Sequence, residues 1–122
     1  MKLHLNKLGD IKIFTALGTD YVMVNDERYT SSIVVSADQV RLDWAVAHFD
    51  ELNQANFAYL AALKPDVLLL GTGAKQRFPH PSLFRALTEA GIGLECMDTP
   101  AACRTYNILV AEDRKVIAAI LF

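Results

Sequence analysis

The feature that most constrains this chain is an uninterrupted apolar run, Val67-Leu68-Leu69-Leu70, that stops at Gly71. Four apolar residues in succession cannot alternate between core and solvent. The run therefore reads as a strand covered on both faces, the pattern of parallel sheets. A second run, residues 116–122, reads the same way. Between the two lie helix signals. Pro81 suits the first position of a helix that packs through Leu83, Phe84, Leu87 and Ala90, with Gly91 as its stop. Leu94-Glu95-Cys96-Met97 reads as a short strand. Thr99 then caps a further helix with Pro100 at its first turn and a stripe of Ala102, Tyr106 and Leu109. Upstream, Asn53 caps a helix carrying Phe57, Leu60, Ala61 and Leu63 and ending at Lys64-Pro65. Strand, helix, strand, helix, strand implies crossover connections and a partly parallel sheet.

The first third reads differently. Ile11-Lys12-Ile13-Phe14 alternates, Gly18-Thr19-Asp20 turns, Tyr21-Val22-Met23-Val24 extends again, and Asn25-Asp26 turns once more. Residues 28–36 and then 40–46, the latter holding Trp44, continue the pattern as a β-meander with one wet face. The expectation is an α/β fold in a single domain, 1–122, with antiparallel N-terminal strands followed by βαβαβ and a mixed sheet. A chain of 122 residues buries roughly two-thirds of its unfolded surface, enough for a core without staples.

Composition narrows function mainly by exclusion. With 52% hydrophobic and 21% charged residues the chain is not disordered. Twelve basic against fourteen acidic side chains give a net charge of −2 and no broad field for nucleic acid. The longest apolar run falls short of the roughly 20 residues that span a membrane, so no membrane insertion is expected. The N-terminal MKLHLNKLGD has no apolar leader core, which suggests a cytoplasmic protein. Two cysteines, Cys96 and Cys103, fit a reducing compartment. His4, His48 and His80 stand apart from any metal-ligand spacing, so neither metal nor cofactor is expected.

Ligands of open α/β sheets sit beyond the carboxyl ends of the parallel strands. Two loops meet that condition, Gly71-Thr72-Gly73-Ala74-Lys75-Gln76-Arg77-Phe78-Pro79 and Asp98-Thr99-Pro100-Ala101. The glycine loop admits two readings. Gly71 and Gly73 permit a backbone anion nest charged by Lys75 and Arg77. Phosphate-loop and dinucleotide patterns are nonetheless absent, because Gln76 stands where a third glycine is needed. A tight turn with two solvated basic side chains is the stronger reading. Asp98 caps the following helix or lines the crevice. Arg104 reaches a carboxylate or covers its helix, and Tyr106 is core with its hydroxyl at the rim. Asn107 bonds its own helix or faces solvent. Cys103 near a helix start would need His80 as base, and a buried thiol is the better reading. No carboxylates pair credibly for acid–base work, so no catalytic residue is assigned and the reading leans away from an enzyme.

The strings Val67-Leu68-Leu69-Leu70-Gly71-Thr72-Gly73, Arg77-Phe78, and Glu95-Cys96-Met97-Asp98-Thr99-Pro100-Ala101-Ala102-Cys103-Arg104-Thr105-Tyr106-Asn107 resemble a family of small domains of unknown function. That family includes the mitochondrial respiratory complex I assembly factor 3. The likeness covers nearly the whole chain, including residues 29–35, Trp44 and the apolar ending. It implies a small three-layer β/α domain. The mitochondrial member is a non-catalytic partner in assembling a respiratory enzyme, which implies an assembly-accessory role and an unidentified protein partner, with a weak homodimer as a further expectation. The absence of an evident presequence points to a bacterial-type protein. The expected partner surface comprises Gly71, Thr72, Gly73, Lys75, Arg77, Phe78, Asp98, Thr99, Arg104 and Tyr106. The alternative is a small-molecule or anion site in the crevice between the glycine loop 71–77 and the helix starting near Pro100.

Overall fold

The structure, a computed structural model, describes residues 10–122. The reading of residues 1–9, His4 included, lies outside the described residues. Three short strands, β1 (Phe14–Leu17), β2 (Val22–Val24) and β3 (Glu27–Tyr29), form an antiparallel sheet in that order. The rest builds a five-stranded sheet from β4 (Ile33–Val35), β5 (Val40–Arg41), β6 (Val67–Thr72), β7 (Gly93–Met97) and β8 (Val116–Leu121). Its helices are α1 (Gln54–Ala62), α2 (Arg85–Glu89) and α3 (Thr99–Ala111). The strand order is β5-β4-β8-β6-β7. β6 runs parallel to both β7 and β8, whereas β4 is antiparallel to β5 and β8.

The two apolar runs become the two central strands. Every residue of β8 is buried, and so is every residue of β6 after Val67. Their alternate side chains feed two cores. Leu69, Val116, Ala118 and Ile120 pack with α3 and the small sheet. Leu68, Leu70, Ile117, Ala119 and Leu121 pack with α1, α2 and Trp44. Three layers result. Each fully buried large side chain contributes about 2–3 kcal/mol of burial.

The caps and turns read at Asn53, Gly91 and Asn25-Asp26 act as written. The helix read from Pro81 is shorter, and Ala90, read as one of its packing residues, is exposed beyond its end. Asn53 accepts from Asn56 N at 2.9 Å while Asn56 Oδ1 accepts from Asn53 N at 2.8 Å, a reciprocal cap for α1. Gly91 takes a φ of 72° just past α2. Asn25 and Asp26, at φ 47° and 69°, form the two-residue hairpin turn that suits twisted strands. Pro81 opens a 3-10 turn, Pro81–Phe84, that leads into α2.

The N-terminal half departs from a single meander. The run read as 28–36 breaks between β3 and β4, and the chain passes from the small sheet to the large one. Ser32 is buried at that passage, and its hydroxyl donates to the Val46 carbonyl. The segment read as a strand over 40–46 is a strand only at Val40–Arg41. Trp44 and Val46 still alternate inward against exposed Ala45 and Ala47. Side chains replace a ladder there: Asn56 Nδ2 donates to Ala45 O at 3.3 Å, and Trp44 Nε1 donates to Asn56 O at 3.1 Å. Alternation follows from an extended backbone, with or without a neighbouring strand.

Candidate functional site

The carboxyl edge of the mixed sheet is drawn together by one hydroxyl. Thr99, the first residue of α3, donates from Oγ1 to Leu121 O at 2.5 Å and accepts from Gly73 N at 2.9 Å. Its own N–H donates to Gly73 O at 2.8 Å. The ends of β6 and β8 and the start of α3 are thereby tied at a point where Thr99 is 6% exposed. Gly71 permits the approach, because a Cβ there would stand 3.2 Å from Thr99 Cα. Gly73 at φ 98° turns the chain out of the strand. The helix cap is Asp98 and not Thr99, since Asp98 Oδ1 accepts from Ala101 N at 2.8 Å. A carboxylate at a helix start also complements the helix dipole.

β6 extends to Thr72, past the boundary read at Leu70, so Gly71 and Thr72 are strand residues. The Thr72 hydroxyl lies 2.5 Å from Lys75 O and 3.0 Å from Met97 O as donor, and it accepts from Arg77 N at 3.1 Å. The loop therefore folds back on its own strand. These bonds occupy the N–H groups of Gly73 and Arg77, two donors an anion nest would use. Arg77 Nη2 pairs with Asp50 Oδ1 at 2.6 Å, and its guanidinium sits 4.2 Å from the Phe49 ring centroid. Lys75 and Phe78 are exposed, Phe78 to 70%.

Arg104 and Tyr106 belong to a different part of α3. Arg104 is exposed beside a shallow hollow lined by β1, Cys103 and Asn107 and not by the glycine loop. Tyr106 is fully buried, stacks edge-on against Phe14 at 5.3 Å, and donates its hydroxyl to Lys12 O at 2.8 Å. Asn107 does neither of the things read from sequence. Its amide accepts from Phe14 N at 2.9 Å and donates to Phe14 O at 2.8 Å, pinning β1 onto α3 like a neighbouring strand.

Two cavities flank the carboxyl edge. One, about 420 Å³, is lined by Leu17, Gly73, Ala74, Thr99, Pro100 and Phe122 among others. The other, about 470 Å³, is lined by residues that include Leu42, Trp44, Val46, His48 and Phe122. Phe122 is common to both. Leu17 is 36% and Leu42 66% exposed beside them. Of the sequence candidates, Gly73 and Thr99 reach this surface, with Gly71, Thr72 and Asp98 shaping it from beneath. Phe122 was legible, since a strand parallel to β6 must end at the same edge. Leu17 and Leu42 carried no such signal.

Neither thiol is activated. Cys103 is 1% exposed, and burial pushes its pKa up to about 12 against a smaller lowering from Arg104. Cys96 is raised to about 11 by burial and by Glu95. His80 caps the turn at Pro81, accepting from Ser82 N at 3.1 Å, and has no bond to Cys103. Burial raises Tyr106 as well. All three groups hold their protons more tightly folded than unfolded. The stability this confers is complete below the ordinary thiol value of 9.0 and is lost as pH climbs through the folded values, about 11 and 12. The denaturant midpoint should stay flat from neutrality to about pH 9 and fall above it. Cys103 should resist a disulfide reagent at about pH 8 until the chain unfolds, and half-buried Cys96 should react only slowly. Rapid labelling of the native protein would contradict this.

The mixed five-strand sheet, its three-layer packing and the closed carboxyl edge define a small α/β domain of a kind already solved. A protein from Bordetella parapertussis has the same architecture at a TM-score of 0.85 and 39% identity, covering 91% of this chain and 95% of that one. The chain belongs to the family described as protein of unknown function (DUF498/DUF598), whose pattern matches residues 14–121. It is 30% identical over 101 residues to the "13 kDa major membrane protein" of Francisella tularensis subsp. holarctica, covering 81% of each. It is 33% identical over 85 residues to the mouse "NADH dehydrogenase (ubiquinone) 1 alpha subcomplex assembly factor 3", covering 68% of this chain and 46% of that protein. The chain thus spans about half the length of that assembly factor. No described helix is long and apolar enough to cross a membrane.

Proposed function

We propose that this chain is an assembly-accessory domain, acting as one unit, that docks an apolar segment of a protein partner at its carboxyl edge. The observation that carries the reading is the pair of cavities meeting at Phe122, with Leu17 and Leu42 exposed at their rims. Apolar residues concentrated beside well-formed hollows mark interaction surfaces. The relationship to a protein named as an assembly factor supports the same class of role. Both cysteines are free, which fits the cytoplasmic setting that belongs to this proposal.

The test is affinity purification at native expression level, with the partner identified and its stoichiometry measured. Leu17→Glu with Leu42→Glu should reduce recovery about tenfold or more. Ile108→Glu, at an exposed apolar residue of α3 that lines neither cavity, should leave it unchanged. A partner that is a second copy would appear as concentration-dependent dimer in sedimentation. Absence of any reproducible stoichiometric partner, or recovery indifferent to the paired substitution, defeats the proposal.

A further inference from the structure

We propose that the hollow at the amino edge of the mixed sheet binds a small phosphate-bearing molecule. It lies at the opposite end of β6 and β8 from Phe122. Val116 and Ile117 begin β8 there, Leu63 closes α1, and Ser36, Ala37 and Asp38 lead out of β4. The volume is about 340 Å³, at the lower end of what small-molecule sites occupy.

Charge is the first argument. Arg41, Arg114 and Lys115 line the hollow against a single lining carboxylate, Asp38. Among the described residues the sole ion pair joins Arg77 and Asp50, so none of these three cations has a carboxylate in salt-bridge reach. Asp38 is engaged already, accepting from Ser36 Oγ at 2.7 Å. That bond, with the charges of Arg41 and Lys115, holds its carboxyl below the usual value. It stays ionised near neutrality and offsets one cation, so the lining itself carries two more cations than carboxylates (three against one). Outside the lining, Asp43 accepts the Tyr59 hydroxyl at 2.6 Å, and Arg41 acts on that hydroxyl as well. Three cations lining one hollow repel one another, and an oxyanion relieves the repulsion.

Arg41 supplies the second, independent argument. Its Nε is buried and has no hydrogen-bond partner among the described residues. Buried donors are nearly always bonded. A guanidinium presents its donors as a planar fork matched to phosphate oxygens, and a turn of the Arg41 side chain toward an oxyanion in the hollow would give this closed-off Nε its acceptor. Leu63 and Ala37 form an apolar wall for an organic substituent, so a phosphomonoester suits the space better than inorganic phosphate. The site owes nothing to the glycine loop and does not depend on the docking surface at Phe122.

Isothermal titration of the full chain with inorganic phosphate, pyrophosphate and glycerol 3-phosphate tests the assignment. Vesicles of phosphatidylcholine with and without phosphatidic acid form a parallel arm. The expected result is saturable, salt-sensitive binding, strongest for the phosphomonoester. It should weaken at least about tenfold in Arg114→Ala with Lys115→Ala, whose side chains are exposed and whose loss spares the core. Arg41→Lys, which keeps the charge and removes the Nε donor, should weaken it too, whereas Lys75→Ala with Arg77→Ala should not. No saturable binding, binding indifferent to the Arg114 and Lys115 changes, equal loss in the Lys75 and Arg77 variant, or binding to phosphatidic acid vesicles alone would overturn the proposal.

Discussion

Removal of residues 120–122 should abolish the cooperative melting transition. Ile120 and Leu121 are both 0% exposed, and they sit near the end of the strand that joins the two halves of the sheet. Ile120 pairs with Ile33 on one side and Gly71 on the other, and Leu121 pairs with Thr72. The two side chains also serve different cores, Ile120 the one under α3 and Leu121 the one under α1. Truncating a single large core side chain costs about 2–5 kcal/mol, and the whole margin of a domain is about 5–15 kcal/mol. Losing both, with their ladder bonds, removes most of that margin. The carbonyl that receives Thr99 is lost in the same deletion. Calorimetry of the truncated chain decides the matter. A two-state transition near the parent midpoint would show that the strand end is peripheral.

The second large effect is expected from Thr99→Val. Valine nearly reproduces the shape of threonine, so no cavity opens. It leaves Leu121 O and Gly73 N without the hydroxyl that serves both. Each buried group left unpaired costs about 1–3 kcal/mol, so urea unfolding should report a loss of about 2–6 kcal/mol with the slope unchanged. The melting midpoint should drop by roughly 10 °C or more. Thr99→Ser keeps both hydrogen bonds and loses one methyl, which should cost only about 1 kcal/mol. The valine and serine variants melting together would mean that the hydroxyl does not hold the edge.

The C-terminal half was legible because its rules are local. A residue buried on both faces must be apolar whichever neighbour covers it, and Val67-Leu68-Leu69-Leu70 meets that condition without knowledge of its partners. Asn53, Pro81, Gly91 and Pro100 act within one turn of their own positions, so their meaning survives any tertiary arrangement. The N-terminal half depended on distant groups. Trp44 and Val46 alternate like a strand, but whether a ladder forms beside them depends on where α1 places Asn56. Asn107 reads as bonding its own helix or facing solvent, because its partner Phe14 lies 93 residues away.

The candidate site divides along the same line. Gly71, Thr72, Gly73, Asp98 and Thr99 were placed at one edge by strand direction alone, since parallel strands end together. The destinations of Lys75, Arg77 and Arg104 were not fixed by direction. Long charged side chains go where a partner or solvent takes them, and Asp50 takes Arg77. The convergence of Arg41, Arg114 and Lys115 is equally invisible along the chain, where more than 70 residues separate the first from the other two.

By itself the near-balanced, apolar sequence determined the class of fold, the central strands and the edge at which the Gly71 and Asp98 loops end. Those outcomes follow from hydrophobic patterning and backbone stereochemistry, which act over a few residues. Only the tertiary structure decided that this edge is closed by Thr99 and walled by Phe122, and that Arg41, Arg114 and Lys115 line one hollow at the other end. Such outcomes depend on which side chains the packed sheet brings within a few ångströms of one another, and no local rule along a chain specifies that.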